Sequence, residues 1–208
     1  MKKYIIPIIL FIIIILAIFY FVFLRQNYTT NYTAEKTRTE ISNTIIPINN
    51  EENMQEQKAE TKIAEFTTKL LIDDDNRDKN IKLTSSFING TIIKNGDTFS
   101  FNKVAGNPTP DRGYEKAGVF INGEKVKGYG GGNCQVSTTI YNAVKKIDNI
   151  EIIERHEHGV DVGYVENGKD CTVAYDELDF KFKNNTGYDI KIYVEVVNHK
   201  LNVRIVKI

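Results

Sequence analysis

The sequence predicts an α+β domain held behind an N-terminal membrane-spanning helix and a polar linker. Three observations lead there. Residues 5–24 are uncharged throughout and almost entirely apolar. Residues 26–62 are rich in Asn, Thr, Gln and Glu and carry no sustained apolar period. From residue 63 onward, two stretches with helical spacing stand among many short runs of β-branched and aromatic residues, the pattern of one mixed domain with about two helices.

Ile5 to Leu24 reads IIPIILFIIIILAIFYFVFL. At about 1.5 Å rise per residue such a run is roughly 30 Å long, the thickness of a hydrocarbon core. Pro7 falls in the first turn, where a missing N–H costs little. The run ends in Phe21, Val22, Phe23, Leu24 and Arg25, without the small-residue pattern of a signal cleavage site. An uncleaved anchor over residues 1–25 is therefore expected. Lys2 and Lys3 outweigh Arg25, and the positive-inside rule then puts the C-terminal bulk outside the cell. Residues 26–62 read as a flexible extracellular spacer with a reach of about 30–35 Å, with packing on the domain through Ile45 and Ile46 as the competing reading.

Residues 63–208 suffice for a single hydrophobic core. Ile63, Phe66, Leu70, Leu71 and Ile72 predict an opening strand, ended by Asp73, Asp74 and Asp75. Arg77 to Ile88 predicts a helix with Ile81, Ser85 and Ile88 on one side, closing at Asn89-Gly90. Short strands are expected near Ile92, Phe99 and Val119, with Asn122-Gly123 as a hairpin turn. Val136, Ile140, Val144 and Ile147 recur at helical spacing and predict a second helix over Gln135 to Ile147. The remainder reads as strand: Ile150 to Ile153, Val160 to Val165, Cys171 to Tyr175 and Asp179 to Lys183. A terminal hairpin, Ile190 to Val197 and Leu201 to Ile208, turns at Asn198-His199.

Composition narrows the chemistry. The 208 residues hold 27 Lys+Arg against 27 Asp+Glu, so no net field favours a polyanion and nucleic acid is not an expected partner. Two cysteines and three histidines form no zinc-type cluster and no disulfide framework. Neither metal nor cofactor is called for.

The most informative stretch is Gly130-Gly131-Gly132-Asn133-Cys134-Gln135, immediately before the second predicted helix. Cys134 then lies at a helix N-terminus, where the partial positive charge favours thiolate over thiol. Unpaired N–H groups around Gly132, Cys134 and Gln135 could face a developing oxyanion. The competing reading is a buried structural cysteine beside a flexible loop. Arg155-His156-Glu157-His158 follows at the end of a predicted strand. Alternation places His156 and His158 on one face and Arg155 and Glu157 on the other. A cysteine on a helix start with a histidine from a later strand is a usual layout for thiol acyl transfer, and a solvated His-rich edge competes with it. Asp170 and Asp161 are candidates to orient the imidazole, though either could close a turn. Arg112, Tyr114 and Arg155 are candidates to line a peptide-binding site, with a plain polar loop as the alternative for the first two. Cys171 reads as a packed strand residue, and a bond to Cys134 would abolish a nucleophile there. The P-loop and GxGxxG contexts are absent.

Phe99-Ser-Phe-Asn102, Gly130 to Ser137, Glu154-Arg-His-Glu-His158 and Asp179 to Thr186 together resemble the VanW family, in the family's motif order from about Ile81 to Ile208. The Gly-Gly-Gly-x-Cys-Gln element is the most specific part. The resemblance implies a cell-envelope role and, from family members associated with L,D-transpeptidation, a nucleophile at Cys134. His158 is the better-matched base, with His156 alongside, and peptidoglycan stem peptides are the implied substrates. Two positions depart from the pattern: Cys171 stands where Ala is common, and Gly159 where Ser is usual. The implied activity is formation of 3→3 cross-links. A cysteine hydrolase or carboxypeptidase, or a non-catalytic wall-binding or glycopeptide-resistance module, remains the alternative.

Overall fold

Period-two alternation builds the main sheet. In β8 (Ile190–Val197) Ile190, Ile192 and Val194 point inward, and in β9 (Lys200–Lys207) Leu201, Val203 and Ile205 do the same. The two form the expected terminal hairpin, with Asn198 and His199 at φ 50° and 55°, the left-handed pair that matches strand twist. β1 (Thr61–Lys69) adds to the far side of β9 and β2 (Thr91–Ile93) to β8, giving an antiparallel order β1-β9-β8-β2. The computed structural model describes residues 60–70, 74–121 and 124–208. The expected anchor, and nearly all of the expected linker, lie outside them. No helix among the described residues is long and apolar enough to cross a membrane.

A second antiparallel sheet, β3-β7-β6, joins Thr98–Ser100, Lys181–Asn184 and Ile150–Glu154. Phe99 stacks on Phe182 at 5.1 Å between centroids, and Tyr141 meets Phe180 edge-on at 5.9 Å. These rings seal one end of the core. β4 (Ala117–Ile121) and β5 (Glu124–Gly128) form a separate hairpin in which Ile121 pairs with Glu124; the expected turn at Asn122-Gly123 lies outside the described residues.

Asp74 and Asp75, expected with Asp73 to end the first strand, instead begin a helix, and Asp73 lies outside the described residues. Asp74 is the N-cap of α1 (Asp75–Ile88), its carboxylate accepting the Arg77 N–H at 3.1 Å. The buried side of α1 carries the expected Ile81, Ser85 and Ile88, and with them Arg77, Asn80 and Thr84. A helix not expected, α2 (Phe101–Ala105), is started by Ser100, whose hydroxyl caps the Lys103 N–H. A single 3-10 turn at Pro110–Arg112 follows it.

Two expected strands do not form. Val160 to Val165 is irregular because Gly163 sits at φ 73° and its N–H is taken by the Asp161 carboxylate at 2.8 Å, an Asx turn that strand geometry forbids. Cys171 to Tyr175 has only two isolated bridges, His156 with Thr172 and Ala174 with Leu178. Much of its main chain is bonded to side chains of a helix instead.

That helix is α3 (Asn133–Val144), set slightly earlier than its apolar period suggested. Val136, Ile140 and Val144 are fully buried, as expected, and Ile147 lies past the helix end; Ala143 is buried too, and so are Ser137, Thr138 and Thr139 on the other side. Buried hydroxyls need partners: Thr139 Oγ1 donates to the Gln135 carbonyl and meets Thr68 Oγ1, and the other two grip the chain opposite. Ser137 Oγ donates to the Cys171 carbonyl at 2.6 Å, the Cys171 N–H donates to Thr138 Oγ1 at 2.8 Å, and Asn142 Nδ2 donates to the Lys169 carbonyl at 2.7 Å. The helix thus holds residues 169–172 against its own flank, one turn beyond its N-terminus.

Candidate active site

Gly132 is the N-cap of α3, at φ 110°. A Cβ there would lie 2.6 Å from Ile81 Cγ1 and 3.2 Å from the Arg77 carbonyl, so glycine is what lets α3 start against α1. At Gly131 a Cβ would come within 2.7 Å of the Gly118 carbonyl. The glycines therefore serve close packing as much as substrate approach. Asn80 ties the loop down, its Nδ2 donating to the Gly131 carbonyl at 3.1 Å. Thr84 Oγ1 donates to Asn133 Oδ1 at 2.6 Å and meets the Tyr114 hydroxyl at 2.9 Å. The first turn of α3 is fixed before any substrate arrives.

Cys134 follows, half-buried, as a free thiol. Its Sγ lies 3.5 Å from Thr172 Oγ1 and 3.5 Å from the Val173 carbonyl, and it hydrogen-bonds the His158 imidazole. On the far side of that ring, Nδ1 is 2.6 Å from Asp170 Oδ2, which also accepts the His158 main-chain N–H at 2.7 Å. With Nδ1 so engaged, Nε2 is the ring atom left for the sulfur. Asp170, at 5% exposure, cannot rotate freely. Arg155 braces it from outside, with two guanidinium nitrogens on the Asp170 carbonyl and a third hydrogen bond to the Gly168 carbonyl.

The charges follow from this arrangement. Burial pushes the Cys134 thiol up, but the imidazole, then the Thr172 hydroxyl, more than offset it, and the thiol ends below its ordinary value. His158 is opposed by burial too, yet the sulfur and then Asp170 raise it. Burial likewise opposes the Asp170 charge, and the two His158 contacts hold its carboxyl below the usual range. The geometry favours a thiolate–imidazolium pair with a carboxylate behind it. Cys171 differs: wholly buried, its thiol is pushed far up and it remains a free core thiol.

The cleft in front of the sulfur holds about 980 Å³ and is lined by the glycine loop, Tyr129, Val162, Tyr164 and Thr172. Several expected site residues lie elsewhere. His156 does not share a face with His158, because the strand ends at Glu154; its Nε2 meets the Glu154 carboxylate at 3.0 Å instead. That carboxylate is drawn down to about 2, first by Lys181, then by the Asp179 N–H and His156. Asp161 closes its own turn at the cleft edge. Arg112 latches a loop, donating to the Asn107 and Ala105 carbonyls over the Phe87 ring, and Tyr114 is a 2% exposed prop. Neither lines the cleft, and nor does Arg155. The Gln135 N–H is spent on the Gly132 carbonyl at 3.0 Å, so it is no oxyanion donor; among the described residues nothing takes the Cys134 N–H. No group of three or more His, Cys, Asp or Glu side chains among the described residues is disposed to hold a metal. Sequence reasoning missed Thr172, which touches the sulfur, and Thr138, which sets the Cys171 main chain. A run of three hydroxyl residues opposite an apolar stripe was the only signal for Thr138, and Thr172 had none.

A family model described as VanW like protein matches residues 76–206. The chain is 36% identical over 130 residues to the uncharacterized protein YoaR of Bacillus subtilis, covering 62% of this chain and 43% of that one. It is 30% identical over 136 residues to the vancomycin B-type resistance protein VanW of Enterococcus faecalis, covering 63% and 49%. The chain thus spans less than half the length of these curated relatives. No solved structure matches it.

Proposed function

The chain belongs to the VanW family, and we propose that its domain is a cysteine acyltransferase acting on peptidoglycan stem peptides, an L,D-transpeptidase. The observation that carries this reading is the line from Cys134 Sγ through the His158 ring to the Asp170 carboxylate. In the first step the thiolate attacks the carbonyl of the third stem residue. The C–N bond to the terminal D-alanine breaks, and its amine leaves with the proton from His158. In the second, an acceptor amine attacks the thioester, His158 takes the amine proton, and the thiolate is released. The Cys134 N–H at the α3 N-terminus supports the oxyanion, a kind of contact worth about 3–4 kcal/mol. Asp170 keeps the imidazole in the required tautomer and stabilises its charged form.

The apolar stretch of residues 5–24 and the polar segment after it fit display of this domain outside the cell membrane, where its substrate lies. The printed name of the enterococcal relative ties that protein to vancomycin B-type resistance, and we extend an envelope role of that kind to this chain as part of the same proposal. Purified protein incubated with tetrapeptide muropeptides tests the reading by mass spectrometry. It predicts 3→3 linked dimers and free D-alanine, both lost in Cys134→Ala. Free D-alanine without dimers would mean a carboxypeptidase, and unchanged products in the variant would remove the cysteine from the chemistry.

A further inference from the structure

Arg77, in the first turn of α1, lines the same cleft as Cys134. At 7% exposure its charge is nearly out of water. Nη2 donates to Gln135 Oε1 at 2.8 Å, and that amide is itself fixed, its Nε2 donating to Thr68 Oγ1 at 2.9 Å and to the Lys69 carbonyl at 2.8 Å. Nη1 is buried with no hydrogen-bond partner among the described residues. No ion pair among the described residues involves this guanidinium. Asp74 is committed to the Arg77 main-chain N–H and to Lys127, and Asp78 acts on the guanidinium only at longer range.

A buried cation without its anion is costly, and a rigidly held guanidinium with one edge unused is the group best shaped to take a carboxylate. The sulfur is close enough for the two charges to act on each other. A peptide whose carbonyl sits at Sγ carries its next residue about 3.8 Å further along the chain. If that residue is the last, its carboxylate is held within the cleft that Cys134 and Arg77 both line. We propose that Arg77 binds the free α-carboxylate of the terminal residue that is expelled, so that the site reads a chain end and not a peptide interior. The inference rests on the acyl-transfer reading above and names its substrate more closely. The bonds change as before: S–C forms, C–N breaks, the leaving amine takes the His158 proton, and the carboxylate departs unchanged on the leaving residue. Nη1 is closed from solvent, so the carboxylate must displace a cover.

The test uses full-length protein and two ligands: the tetrapeptide L-Ala-γ-D-Glu-meso-diaminopimelyl-D-Ala, and the same peptide with its terminal D-Ala amidated. Calorimetric binding to the Cys134→Ala protein is expected to be about 10- to 100-fold weaker for the amide, the worth of one charged hydrogen-bonding contact. Arg77→Gln should weaken the free acid by a similar factor and leave the amide where it was, and Arg77→Lys should restore part of the difference. Equal binding of acid and amide by the Cys134→Ala protein, which needs no change at Arg77, would overturn the proposal. So would an Arg77→Gln loss that is the same for both ligands, or no binding of the free acid. Turnover of the unaltered protein separates the two ideas. Acid-selective binding without any product leaves the carboxylate site standing and removes the acyl transfer, whereas equal product from acid and amide does the reverse.

Discussion

Replacing Asp170 by Asn isolates the charge behind the imidazole. Asn keeps the size and one neutral acceptor, but it loses two charge-assisted contacts to His158, at 2.6 and 2.7 Å. Only the first is to the ring, and such a bond exceeds its neutral counterpart by about 1–1.5 kcal/mol, so the imidazolium loses about that much support. The acyl-transfer rate at neutral pH should then fall roughly 5- to 13-fold. The sign on pH is fixed by the same contacts. In the native site the thiol is lowered, with His158 outweighing burial, and His158 is raised with help from Asp170. Losing one proton from the coupled pair creates the reactive state and losing the second removes it, so activity should rise with pH through the first macroscopic step and fall through the second. In Asp170→Asn the imidazole drops and the thiol climbs, so the window narrows from both ends. Alkylation of Cys134 by iodoacetamide across pH, with circular dichroism as a control for folding, reads the thiol limb directly. A folded Asp170→Asn protein whose alkylation midpoint stays put would refute the coupling.

Other substitutions separate structure from chemistry. His158→Ala should lower the acyl-transfer rate at least about 100-fold, whereas His156→Ala, aimed at Glu154, should change it less than about threefold in the same muropeptide assay. Gly132→Ala forces a side chain at φ 110° into Ile81, and it should destabilise the domain by about 2–4 kcal/mol, seen as a lower midpoint in urea. Thr138→Val leaves the buried Cys171 N–H without its acceptor, a loss of about 1–3 kcal/mol, and it should also slow Cys134 alkylation as the Asp170 segment loosens.

The strands of the main sheet were readable because each buries one side only, so Ile190, Ile192 and Val194 alternate cleanly with polar neighbours. The start of α3 was readable from glycines followed by an apolar period. What periodicity could not show is that the polar side of α3 is also buried. Ser137, Thr138 and Asn142 look like a solvated face until the chain at 169–172 is laid across them, and that contact is what turns Asp170 toward His158. Alternation failed at His156 for a related reason: it assumes the strand continues, but pairing ends at Glu154 and the next residues follow side-chain bonds. Arg77 carried no local signal at all, since its role depends on Gln135, far along the chain.

Intact-mass spectrometry of the full-length protein, quenched in acid shortly after mixing with the tetrapeptide and no acceptor, tests the nucleophile most directly. The account predicts a covalent adduct of the tripeptide acyl group, mapped to Cys134 and reversed by a free amine. A protein that releases D-alanine while its Cys134 stays unmodified at every quench time, and that turns over equally well as Cys134→Ala, would contradict it.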